Sequence, residues 1–323
     1  MTVPPAATPD DATDFATEQH GGRALIMRIR FLCAMAVSAT IFWYVGWWVA
    51  GPIDPDGPVS LLMLDQNVVA MAELLGLSVI SSGLAVAICG AGSAGRGPLA
   101  IAVGLASLGL RGSQLDVLVL YRLNPPATSP VGMDPFPVWA LIAECWLWLA
   151  LIAVGFVVGR WVGSWFEPVN KASPRSSSAE EHSSDVRQGL GTIAITAVVA
   201  WIAITLAMGS GANPILKGQV YFSLGLAFLV GALVAHGFLR TDSRIWTLIA
   251  VAIVATVAYV FAGPDDAALA AAQQSGGYVN LRPIVRPLPI EYAALGAIGI
   301  LIEDDAMRFF RALFGLEVRA RCE

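Results

Sequence analysis

The chain has 323 residues, of which 56% are hydrophobic and only 13% charged, with a mean hydropathy of +0.69. Soluble domains carry about 25% charged residues, so this composition excludes an ordinary water-soluble fold and names the lipid bilayer as the first partner. A formal net charge of −5 with no basic stripe leaves no footprint for a nucleic acid.

Residues 1–22, MTVPPAATPDDATDFATEQHGG, are acidic and lack the basic start and apolar core of a signal peptide. They are expected to be a disordered cytoplasmic tail. Arg23, Arg28 and Arg30 then precede a first span, Phe31–Ala50, closing on Trp47 and Trp48, whose rings suit a membrane interface. A second span, Val68–Gly90, contains Glu73. The third, Pro98–Leu123, begins as a pure apolar run and then carries Arg111-Gly112-Ser113-Gln114-Leu115-Asp116. The fourth, Val138–Val158, contains Glu144 and is followed by Arg160, Trp161 and Trp165. Together these form a first membrane half over 23–165.

Residues 166–188 are rich in Ser, Glu and Pro and are expected to be a flexible cytoplasmic linker. Spans five to seven, Leu190–Met208, Val220–Leu239 and Trp246–Ala262, hold no acid, Lys or Arg. After a Pro-rich connector, the apolar run Tyr292–Ile302 is short: at 1.5 Å per residue it covers about half of a ~30 Å hydrocarbon core. Starting it at Pro287 lengthens it and buries Glu291. This second half occupies 189–305. In the tail, 306–323, Met307, Phe310 and Phe314 recur opposite Arg308 and Arg311, the pattern of an amphipathic helix lying in the interface.

Charge bias then orients the chain. With eight crossings and the N-terminus inside, fourteen of the nineteen Lys and Arg fall on the cytoplasmic side and four outside, Arg111 being within a span. With seven crossings the split is ten to eight. Eight crossings with both termini cytoplasmic, in the plasma membrane, is the expectation. The two halves also share a plan, with offsets of about 145 to 160 residues between corresponding starts, as in transporters built from parallel repeats. The fold class is thus an all-α polytopic bundle of about eight segments, seven of them clear, in two similar four-helix halves.

Residues 90–95 read GxGxxG, but the dinucleotide fingerprint works only between a strand and a helix. Here it joins two membrane helices and reads as a tight turn. No Ser/His/Asp set, HExxH, Walker loop or catalytic Asp pair is present, and His20, His182 and His236 fall in tail, linker and interface. Cys33, Cys89, Cys145 and Cys322 show neither disulfide nor zinc spacing. The chain is therefore read as no enzyme, with no cofactor and no metal.

The chemistry that remains is an intramembrane polar cluster of Glu73, Ser107, Arg111, Gln114, Asp116 and Glu144. Arg111 and Asp116 lie about 140° apart around a helix and do not face each other. Counted from the outer boundary, Glu73 lies about 8 Å down, Glu144 about 10 Å and Arg111 about 10 Å, so they share one level. Two readings compete. Arg111 pairs with Glu73 or Glu144 to lock three helices, or the surplus carboxylate lines an outward cavity for a cation or proton. A third has Gly112-Ser113 breaking the helix and Arg111 at the interface. The functional expectation is a permease-like or transporter-associated protein for a small solute or ion. Its alternative is a structural or assembly subunit whose charges are glue between helices. Substrate, oligomeric state and partners are not legible.

Overall fold

A computed structural model describes residues 9–52, 57–61, 67–90, 92–124, 134, 136–166, 179–209, 216–239, 243–275, 279 and 281–313. Among the described residues the regular structure is all helical. A long α1 (Pro9–Ile41) continues through a π-helical turn (Phe42–Gly46) into α2 (Trp47–Ala50). There follow α3 (Asn67–Cys89), α4 (Arg96–Arg111), α5 (Leu115–Leu123), α6 (Val138–Phe166), α7 (Ala179–Met208), α8 (Lys217–Phe238) and α9 (Arg244–Ala262). A short α10 (Asp266–Ser275), a 3₁₀ turn (Pro283–Val285), α11 (Pro289–Leu301) and α12 (Glu303–Leu313) complete the order.

Six helical stretches are long and apolar enough to cross a bilayer: Leu25–Ala50, Val68–Cys89, Val138–Phe166, Val186–Met208, Lys217–Phe238 and Arg244–Ala262. The bent pair α4 and α5 makes up to a seventh, and α11 is a shorter apolar helix. The bundle is inside-out for water. Trp48, Leu206 and Phe261 are 88%, 78% and 76% exposed, whereas Ser38, Ser78, Ser81, Ser82, Thr196 and Ser223 are buried. An apolar exterior of that extent needs hydrocarbon around it. Inside, hydroxyls bridge the helices: Ser38 Oγ lies 2.6 Å from Ser81 Oγ and donates to the Ala100 carbonyl at 2.5 Å.

α4 and α11 form the centre. All of α11 except Ile298 is buried, and it packs against α4, α6, α8 and α9. A helix so enclosed does not meet lipid, so the length a bilayer demands of an exposed span does not bind it. The remaining depth above it is filled by buried irregular backbone at Leu281, Ile284, Val285 and Leu288. Small residues allow the close approach: a Cβ on Gly299 would meet the Gly225 carbonyl of α8. α6 does the same with Gly155, Gly159 and Gly163, a four-residue ladder seated on Ala94, Gly97 and Pro98 at the start of α4.

Among the earlier helices, α1 packs on α3 and α4, and α6 packs on the same two helices. Among the later ones, α7 packs on α8 and α9, and α11 packs on those two. Contacts between α4 and α11, between α6 and α9, and between α6 and α11 join the two sets. α3 also packs on α4, with no counterpart of similar extent between α8 and α9.

The structure differs from expectation at three places. The helix of the first span reaches back to Pro9, into the stretch expected to be disordered. The stretch expected to be a linker contributes Phe166 to α6 and, from Ala179, the first turns of α7; 167–178 lie outside the described residues, as do 1–8 and 314–323. The third span is not one straight helix, since α4 and α5 meet at 50°.

Candidate functional site

The break between α4 and α5 is where the chemistry collects. α4 ends at Arg111, and Gly112 turns to an extended conformation at φ −80°, ψ 179°. The freed backbone is taken up by two buried loops. Ser113 N donates to Gly57 O at 3.0 Å and Leu115 N to Arg286 O at 3.3 Å. Val59 lies so close to Gly112 that a Cβ there would stand 2.7 Å from its side chain, so only glycine fits. Irregular backbone at membrane depth is tolerated where protein encloses it.

A helix that ends inside a bundle leaves carbonyls without partners. Here one ammonium gathers them. Lys217 Nζ, at the first turn of α8, donates to Gly109 O at 2.5 Å, to Gly112 O, and to Ser113 O at 3.3 Å. Its counter-ion is Glu291 on α11, with Oε1 at 3.4 Å. The other Glu291 oxygen accepts from Leu288 N at 2.9 Å, the N3 carboxylate reaching back to the helix start. Oε1 itself receives no hydrogen bond among the described residues. Glu291 is 0% exposed, and Tyr221 closes the side by donating to Ala106 O at 2.8 Å.

The residues singled out in the sequence separate. Glu144 is buried, but its partners are not arginine: Ser60 Oγ donates at 2.7 Å, Leu61 N at 3.0 Å and Trp148 Nε1 at 3.0 Å. Arg111 donates to Trp43 O at 2.8 Å and lies over the Trp47 and Trp43 rings, 4.3 and 5.7 Å from their centroids. The expected pairing of Arg111 with Glu73 or Glu144 is therefore absent. The helix break at Gly112 redirects the arginine to an exposed, aromatic-lined position, as in the third reading. Glu73 is on the outer surface of α3, with no ion pair among the described residues. Ser107 donates to Ala39 O and Gly104 O. Gln114 is the residue just before α5, and Asp116 accepts from Val117 N.

Lys217 and Glu291 were missed for identifiable reasons. Lys217 opens its helix and reads as a loop residue, and Glu291 enters only when the last apolar run is extended backward. The signal was that a lone Lys and a lone Glu each begin a span and face the same level.

At the opposite end of the bundle a second set of charges binds α12. Its first residues, Glu303, Asp304 and Asp305, each meet a side chain from a different helix, a histidine ring for Glu303 and a guanidinium for each aspartate. His236 Nδ1 of α8 lies 2.6 Å from Glu303 Oε2. Arg244 of α9 pairs with Asp304, and Arg96 of α4 with Asp305 at 2.6 Å. The Arg96 guanidinium, hydrogen-bonded to Asp305, holds that carboxyl below its ordinary range. Cys33, Cys89 and Cys145 are free thiols. No family model, curated protein or solved structure matches the chain.

Proposed function

We propose that this multi-pass membrane protein is a permease for a small cation or proton-linked solute, with its site at the α4–α5 break. One observation carries the reading: a ring of oxygens from Gly109, Gly112, Ser113 and Glu291 surrounds a single positive charge inside the bundle. Helices broken at membrane depth, whose carbonyl ends hold cations, are how many transporters build their sites. In this chain the ring is filled by the protein's own Lys217, so an arriving cation competes with a tethered ammonium for the same oxygens. Withdrawal of Lys217 leaves Glu291 to carry the substrate charge or a proton.

The test is flux. The purified full chain is placed in liposomes containing a pH-sensitive dye, and gradients of Na⁺, K⁺ and NH₄⁺ are imposed in turn. Cation-dependent proton movement above that of empty liposomes, lost in Glu291→Gln, is the expected result. Equal signals from empty, wild-type and variant vesicles for all three cations remove the permease reading. The rival reading, a structural or assembly subunit, draws on Glu144, whose three hydrogen-bond donors use it as glue between a loop and α6.

The same proposal includes eight crossings in two similar halves, with both ends cytoplasmic. Matching partners support it, because α1, α3, α4 and α6 contact one another much as α7, α8, α9 and α11 do. Among the described residues, Arg30 near Gly90 shares an end of the bundle with Arg96, Arg244 and Arg308, the kind of clustering that marks a cytoplasmic side.

A further inference from the structure

The end of the bundle that anchors α12 contains a cavity of about 220 Å³. Arg96, Arg244 and Arg308 line it together with Asp304, Asp305 and the glycine turn at Gly92. We propose that this cavity binds a phosphate group, supplied either by the headgroup of an anionic lipid or by a free phosphate anion.

The donor inventory supports this. A guanidinium offers five N–H donors in a planar fork that matches phosphate oxygens in pairs. Arg96 spends Nη1 and Nη2 on Asp305, and Arg244 uses Nη2 on Asp304. Each keeps further donors, while exposed Arg308 forms no ion pair among the described residues. Three cations against two carboxylates leave the cavity positive. The turn wall is open as well: Gly92 has φ +76°, and no atom stands within 4 Å of where its side chain would be. A phosphate can thus reach the backbone beside Ser93.

The position suits a headgroup. Phe309 and Phe310, which follow Arg308 on α12, are exposed, as on a helix lying at the acyl boundary. Basic pockets at the positive end of a bundle meet the leaflet that carries anionic lipid.

The experiment measures Tm of the full chain in a neutral detergent, with phosphatidylglycerol, phosphatidylcholine or inorganic phosphate added at matched ionic strength. The wild type, Arg308→Gln and Arg160→Gln are compared, the last removing a charge from the same end but outside the cavity. Phosphatidylglycerol should raise Tm by about 5 °C, as ligand well above its Kd does for a chain of this size. Phosphatidylcholine should not. The rise should persist in Arg160→Gln and fall by at least half in Arg308→Gln. If inorganic phosphate gives the same Arg308-dependent rise, the site takes the free anion; if phosphatidylglycerol alone does, it takes the headgroup. No rise with either, or a rise equal in Arg308→Gln and wild type, or equal losses in both variants, overturns the proposal.

Discussion

A carboxylate placed among apolar helices persists only where donors converge on it, and the two buried glutamates solve that problem differently. Glu144 takes three neutral donors, Ser60, Leu61 and Trp148. Glu144→Ala removes the acceptor that all three share and should lower stability by about 3 kcal/mol, since an unsatisfied buried donor typically costs about 1–3 kcal/mol. Glu144→Gln, which keeps one acceptor oxygen, should lose less. Thermal unfolding in detergent reads both. Glu291 instead faces Lys217, so Lys217→Met alone should cost about 3–5 kcal/mol by leaving an unpaired charge. Adding Glu291→Gln should recover part of that loss, and strictly additive effects would show that the two charges do not meet. The sequence placed Glu144 correctly inside the bundle but assigned it the wrong partner. Helical depth arithmetic brings Arg111 to its level only if α4 and α5 are one straight rod. The loop around Ser60, which supplies the real donors, has no periodicity to read.

Among elements, the span signals in the sequence were reliable where a helix meets lipid on one side. The starts of α3 and α6, and the ends of α2, α8 and α9, fall within a residue or two of expectation, because continuous hydrophobicity is what lipid contact requires. They were weak for α11, which meets protein on nearly all sides; small residues there serve packing rather than hydropathy. The same logic governs α6. Gly155, Gly159 and Gly163 are spaced four apart and bring α6 against the backbone of α4, yet in the sequence they vanish into an apolar run. A Cβ at Gly159 would stand 2.3 Å from the Ala94 carbonyl, so the backbones must part to admit it. Gly159→Val should therefore destabilise by about 1–3 kcal/mol or more, as overpacking does. Gly76→Val, at a site with nothing within 4 Å, should have little effect. Comparable loss of Tm in both variants would mean that the α4–α6 contact is not tight.

At the scale of the whole molecule the bundle is pinned at both ends, by the Lys217 ring at one and by the acid turn of α12 at the other. The second pin joins three helices through two arginine–aspartate ion pairs and the His236–Glu303 contact, so it reports on how the bundle closes. Its acid sensitivity follows from Asp305, which the Arg96 hydrogen bond holds below the ordinary carboxylate range. A depressed folded pKa means the contact contributes fully above the unfolded value of about 3.9, and the contribution is lost as the pH falls through the lower folded value. An environment-sensitive dye on Ala306→Cys should therefore report release of α12 only below about pH 4. Asp305→Asn should remove that acid step and leave α12 looser at neutral pH. An identical acid transition in the variant would show that Asp305 does not control it. The same cysteine fixes orientation: Ala306→Cys should label only from the cytoplasmic side. Leu216→Cys, exposed beside Lys217 at the other end, should label only from outside. Labelling of both positions from one side would contradict α11 as a crossing, because α11 and the first turn of α12 carry the chain from the level of Lys217 at Glu291 to the level of Arg96 at Asp305.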